Sequence, residues 1–175
     1  MKAFSYFIQP RYWLRDLILS SGVLMALFLF LFQPVQVIGT SMLPQLRDDQ
    51  RLLINKIVYK YGSVGRGDVV VFHFPKDPSM SYIKRVIGLP GERLEIRGGR
   101  VYVNGDPLAE EYLSSAFLAS RRYGPVKVPP GHFFVLGDHR GASHDSRQWG
   151  TLEKTYIFGK AVFRYWPFED MGSVR

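Results

Sequence analysis

Lys84 lies in the run Ser81-Tyr82-Ile83-Lys84-Arg85-Val86-Ile87, whose β-branched and aromatic residues read as a strand. Side chains alternate along a strand, so Lys84 shares one face with Tyr82 and Val86, and Arg85 shares the other with Ile83 and Ile87. One of the two cations must therefore sit on a mostly apolar face. A lysine buried there becomes a general base, because desolvation pulls its pKa down from about 10.4 and frees the neutral amine. Arginine stays protonated and cannot serve. An edge strand would instead let Lys84 extend its ammonium to water, and the pattern by itself leaves both arrangements open.

A nucleophile for such a base is Ser41, within Gly39-Thr40-Ser41-Met42-Leu43-Pro44. A serine flanked by glycine and proline can be held on a tight turn, with its own backbone N–H free to meet an incoming carbonyl oxygen. An ordinary polar turn has the same composition. The third cluster, residues 137–147, is dense in polar groups: Asp138, His139, Arg140, Ser143, His144, Asp145, Ser146 and Arg147 follow an apolar strand directly. It could be taken for a metal site or a Ser-His-Asp set. The histidines lack H-E-x-x-H spacing and a helix to present them, and a solvated loop explains them more simply. Arg66-Gly67-Asp68 resembles an adhesion tripeptide, but reads better as the opening of the next strand.

The elements that must position these groups are mostly strands. Short apolar runs at residues 51–58, 68–74, 82–87, 93–96, 101–103, 132–136 and 160–165 are separated by glycine and proline, with no internal repeat, which predicts a mainly β protein. Paired glycines at 98 and 99 join two of these runs as a hairpin. Residues 107–123 carry no clear pattern. The chain must turn at Leu89-Pro90-Gly91 and at Val128-Pro129-Pro130-Gly131, which brackets an inserted subdomain of residues 92–127 between two parts of a core, 39–91 and 128–175.

Ahead of them, residues 17–38 form an apolar stretch of about the 20 residues a helix needs to cross a bilayer, preceded by a short segment, residues 1–16. Lys2, Arg11 and Arg15 precede the stretch, predicting a cytoplasmic amino-terminus and an extracytoplasmic remainder, with Tyr6, Tyr12 and Trp13 at the interface. A cleavable signal peptide is the alternative, but the run is longer than the usual h-region. The 175 residues contain no cysteine, which excludes disulfides, a thiol nucleophile and Cys-based zinc sites. The formal charge of +8 points to an anionic contact such as lipid headgroups. Its basic residues, among them Arg51, Lys56, Lys60, Arg66, Arg93 and Arg121, are scattered and follow no nucleic-acid-reading motif, so no nucleic-acid partner is expected.

The ordered set of segments resembles the bacterial type I signal peptidase family. An anchor is followed by residues 39–44, then by Gly67-Asp68-Val69-Val70-Val71-Phe72, by residues 82–92, by Gly137-Asp138-His139-Arg140, and by Ser143-x-Asp145-Ser146-Arg147, with the likeness continuing to Phe163-Arg164-Tyr165-Trp166-Pro167. The resemblance implies an antiparallel, partly barrel-like β domain with an inserted β subdomain behind one transmembrane helix in the cell membrane. It implies a serine endopeptidase in which Ser41 is the nucleophile and Lys84 the general base. Ser143 would orient the lysine amine, Asp145 and Arg147 would brace the site as a charged pair, and Asp138 and Arg140 would belong to the same supporting loop. The substrates would be signal peptides of exported preproteins, and neither metal nor organic cofactor would be needed.

Two positions depart from that pattern. Gly39 stands where some members carry a serine completing the oxyanion hole, so beside the Ser41 backbone N–H that donor is absent here or replaced by backbone or water. Gln45 stands where threonine is frequent. A self-cleaving repressor with the same pair would need a DNA-binding helical domain, which residues 1–38 do not offer. The remaining rival is an inactive membrane-tethered module that binds peptide or lipid.

Overall fold

Leucine, methionine, alanine and phenylalanine dominate residues 17–31 and favour a helix. The computed structural model describes residues 10–119 and 122–174 and places α1 there, Pro10–Leu31. Its segment Tyr12–Leu31 has a mean hydropathy of 1.9 and buries nothing against the protein, so it is long and apolar enough to cross a membrane. The helix ends at Leu31 and not at Ile38. Pro34 cannot continue it, β-branched Val35 and Val37 prefer extended backbone, and β1 (Phe32–Gln36) pairs instead with the edge of β2 (Arg51–Asn55). Val37 is core, 4% exposed. Lys2, Tyr6 and Arg121 lie outside the described residues.

After β2 come α2 (Val58–Tyr61), β3 (Val69–Phe74), β4 (Asp77–Gly88), β5 (Arg93–Arg97), β6 (Arg100–Val103), β7 (Asp106–Pro107), β8 (Tyr123–Lys127) and β9 (His132–Leu136). The chain closes with α3 (Ser146–Trp149), β10 (Leu152–Glu153), β11 (Ile157–Trp166) and β12 (Gly172–Ser173). The large sheet runs in the order β1-β2-β11-β3-β4-β9-β10, with β12 also on β11, and the small sheet β7-β6-β5-β8 is built from residues 93–127. All the ladders are antiparallel.

The expected strand at residues 51–58 stops at Asn55. Its Oδ1 accepts the N–H groups of Ile57 and Val58, at 3.0 and 3.1 Å, and turns the chain into α2. Of the stretch 107–123, residues 108–119 are largely irregular, with one 3₁₀ turn at Ser115–Phe117. Two apolar clusters fill the large sheet's faces, one around Val37, Met42, Leu46 and Ile54, the other around Val70, Phe72, Val86 and Val135. A third, including Ile87, Leu94, Phe134 and Leu136, joins the two sheets. Lys84 and Ser41 are therefore set beside the packed core of the large sheet.

Candidate active site

The Ser41 turn is held by its neighbours. Met42 and Leu46, each 1% exposed, plug into the core on either side of Leu43-Pro44-Gln45 and press the turn onto the sheet. Backbone bonds from Leu43 to the Thr40 carbonyl (3.2 Å) and from Leu46 to the Met42 carbonyl (2.9 Å) close it. Gly39 enters with φ +91°, a conformation that favours glycine, and its N–H donates to Asp48 Oδ1 at 2.7 Å. The position expected to lack an oxyanion side chain thus has its backbone donor engaged as well. Among the described residues, no acceptor takes the Ser41 N–H.

Lys84 lies opposite, on β4, with Val70 of β3 as its partner across the ladder. It is 4% exposed, and Nζ is 2.7 Å from Ser41 Oγ and 3.0 Å from the Ile83 carbonyl, with the Tyr82 ring 5.4 Å away. Burial lowers its pKa from 10.5 to about 8, against the pull of the Asp145 and Asp138 charges, which raise it. Alternation led to the expectation that one of Lys84 and Arg85 would be buried. Both are, on opposite faces. Arg85, 1% exposed, is tied to Asp138 by two bonds of 2.9 and 2.7 Å and to the Gly67 carbonyl at 2.9 Å. Its guanidinium also lies 4.0 Å from the centre of the Tyr112 ring. A carboxylate meets the buried Arg85 guanidinium. Lys84 has no carboxylate within ion-pair distance among the described residues, so desolvation outweighs the more distant Asp145 and Asp138 charges.

Loop 137–147 backs the pair. A Cβ on Gly137 would lie 2.2 Å from Ser143 Oγ and 2.4 Å from the Ser41 carbonyl oxygen, so no side chain fits between this loop and the nucleophile turn. Gly137 N–H donates to Asp145 Oδ2 at 3.0 Å, and His139 N–H donates to the Ser41 carbonyl at 3.0 Å. Asp145 also caps α3 in a reciprocal box with Gln148 and binds the Arg147 guanidinium through two 2.8 Å bonds. Asp138 and Arg140 each pair outside the loop: Asp138 with Arg85, Arg140 with Glu110. Arg85 was weighed in the sequence only as a rival cation, and Glu110 was not singled out. Their acids and bases are 53 and 30 residues apart, beyond any local pattern.

Ser143 is buried and its Oγ makes no hydrogen bond; the Lys84 amine bonds to Ser41 and Ile83 instead. His144 lies edge-on to Phe74, 5.7 Å between ring centres, and His139 edge-on to Phe117 at 5.0 Å. Neither imidazole bonds to Ser41. No group of three or more His, Asp or Glu side chains forms a metal cluster among the described residues.

A cleft of about 450 Å³ opens over the pair, between the chain from Gln33 to Ser41 on one side and Ser81 to Lys84 on the other. β9 pairs with β4 only from Arg85 onward, which leaves the preceding edge of β4 facing the cleft. An extended peptide laid there gains backbone hydrogen bonds from a strand edge and shallow pockets for alternate side chains. The chemistry on offer is acyl transfer: a hydroxyl nucleophile, an amine of lowered pKa within hydrogen-bond distance, and a free backbone donor at the nucleophile.

Known proteins are similar to this chain. The family described as "Signal peptidase, peptidase S26" matches residues 11–166. The signal peptidase I of Leptolyngbya laminosa is 45% identical over 141 residues, covering 77% of this chain and 68% of that protein. That of Bacillus amyloliquefaciens is 38% identical over 172 residues, covering 93% and 89%. A crystal structure of a signal peptidase I from Enterococcus faecalis superposes with a TM-score of 0.51 at 34% identity, covering 56% of this chain and 96% of that one. With the match extending from the apolar helix through the end of β11, this chain belongs to the signal peptidase family, peptidase S26.

Proposed function

We propose that Ser41 and Lys84 are the reacting pair of a membrane-anchored endopeptidase that removes signal peptides from exported preproteins. The observation that carries this reading is the 2.7 Å contact between Ser41 Oγ and the amine of a buried lysine that has no carboxylate partner among the described residues. A neutral amine has one lone pair and two N–H groups. With an N–H directed at the Ile83 carbonyl, the lone pair can accept the Ser41 proton as Oγ attacks the scissile carbonyl. The oxyanion that forms meets the Ser41 N–H. The ammonium then returns its proton to the leaving amine, and the neutral lysine activates water to release the acyl group from Ser41.

Asp145 with Arg147, and Asp138 with Arg85, hold this geometry without touching substrate. Ser143, buried beside the Gly137 and Ser41 backbones, is assigned the orienting role for the amine once the serine proton has moved. We assign residues 39–91 and 128–175 to the catalytic core and 92–127 to an inserted subdomain. Helix α1 is the anchor in lipid, and Lys2, Arg11 and Arg15, which precede its apolar stretch, favour a cytoplasmic amino-terminus with the catalytic domain outside.

The test is cleavage of a purified preprotein at its signal junction by the full-length protein. Ser41→Ala and Lys84→Ala should each abolish it while preserving the fold, and Lys84→Arg should be equally inactive. Substantial processing by any of the three refutes the assignment. An inactive peptide-binding module would bind the preprotein and cut nothing.

A further inference from the structure

Arg140 lies behind the nucleophile turn, buried, and its guanidinium meets the carboxylate of Glu110. Both nitrogens of the fork engage, Nη2 with Oε1 and Nη1 with Oε2, and the two side chains are 3% and 8% exposed. Glu110 belongs to the irregular segment between β7 and β8 of the small sheet. From the same segment the Tyr112 hydroxyl donates to Glu110 Oε1 at 2.6 Å, while its ring lies over the Arg85 guanidinium. The Tyr112 carbonyl accepts from Gln45 Nε2 at 3.2 Å, and the Phe117 carbonyl accepts the Arg140 N–H at 2.9 Å. Residues 110–117 therefore strap together three pieces that surround the reacting pair: the nucleophile turn at Gln45, the residue after Lys84, and loop 137–147.

The connection from Arg140 to the nucleophile is short. Arg140 Nε donates to the Gly137 carbonyl at 3.0 Å, and the intervening loop sends the His139 N–H to the Ser41 carbonyl. Gly137 itself abuts Ser143 and the Ser41 carbonyl with no room for a side chain. A guanidinium deprived of Glu110 would be a buried charge whose nearest remaining acid, Asp138, is already committed to Arg85. It would leave its place, and the Gly137 and His139 backbone would follow.

We propose that Glu110, braced by Tyr112, is a positioning residue for the cleavage reaction: by fixing Arg140 it sets the loop that holds the Ser41 turn against Lys84. The inference rests on Ser41 and Lys84 being the reacting pair. Neither Glu110 nor Tyr112 lines the cleft, so the effect belongs to the chemical step and not to peptide binding.

The experiment compares full-length wild type, Glu110→Gln, Glu110→Asp and Tyr112→Phe on one preprotein, with Ser41→Ala as control and thermal melts run alongside. Misplacing a reacting group by about 1 Å can cost about a hundredfold. Glu110→Gln should lower kcat by roughly 10- to 100-fold on that scale, with KM changed less than about threefold. Glu110→Asp keeps the charge and should recover part of kcat. Tyr112→Phe keeps the ring on Arg85 and removes only the hydroxyl, so its loss should be smaller and again confined to kcat. Wild-type kcat in folded Glu110→Gln, or a rise in KM alone, overturns the proposal. If Glu110→Gln does not fold, Tyr112→Phe decides: an unchanged kcat overturns it. Activity in Ser41→Ala would instead overturn the reading of the pair, so the two failures are distinct.

Discussion

Lowering the pH through the alkaline range should switch off both catalysis and part of the stability, because each depends on the proton that burial makes Lys84 reluctant to hold. A lysine at its ordinary 10.5 is neutral in roughly one molecule in a thousand at pH 7.4, whereas one lowered to about 8 is neutral in roughly one in five. The gain in competent base is about 200-fold, or about 3 kcal/mol at 1.36 kcal/mol per unit. The acidic limb of kcat/KM should therefore titrate near 8 in a series from pH 6 to 11 on a soluble preprotein, with Lys84→Ala subtracted as background. The same shift fixes the sign of the stability effect. The folded-state pKa lies below the unfolded one, so between about 8 and 10.5 the unfolded chain binds the extra proton. Stability falls as pH is lowered through that window, and the loss is complete below the folded value. Lys84→Met lacks this linkage, so urea melts should show its stability relative to wild type improving by about 3 kcal/mol from pH 11 to pH 7. An acidic limb at or above 10, or a stability difference that does not change with pH, would show that Lys84 is an ordinary solvated lysine and end the case for it as the base.

Asp138→Ala leaves Arg85 buried and unpaired and should cost about 3–5 kcal/mol in chemical denaturation; a loss under about 1 kcal/mol would mean the pair is not buried as described. Gly137→Ala forces a methyl against the Ser41 carbonyl, so kcat should fall more than about tenfold, the scale of a sub-ångström displacement at the reacting centre, and full activity would contradict the close approach. Ser143→Ala removes a hydroxyl that makes no hydrogen bond, so the melting temperature should hold while cleavage slows through poorer orientation of the amine. Wild-type turnover would remove Ser143 from the site. Chelator should leave kcat/KM unchanged, and a loss restored by added divalent metal would revive a metal mechanism.

The local chemistry of this chain was legible in its residues. Alternation put a lysine and an arginine on opposite faces of one strand, and glycine and proline marked the Ser41 turn, while it was the family resemblance, not local pattern, that gave the polar run after β9 a role. The first two features are local: neighbours within a few residues decide backbone preference, side-chain direction and apolar length. What residue order could not decide was which long-range partner each group meets. That Lys84 stays without a carboxylate while Arg85 receives Asp138 from 53 residues away follows from which face of β4 the loop after β9 packs against. The helix end at Leu31, the strands β1, β8 and β12, and the bracing of Arg140 by Glu110 were equally hidden. Strand pairing and burial of charge depend on whichever segment the packed sheet brings alongside, and a lysine acquires its lowered pKa only when the exclusion of water by that packing outweighs the carboxylates it brings near.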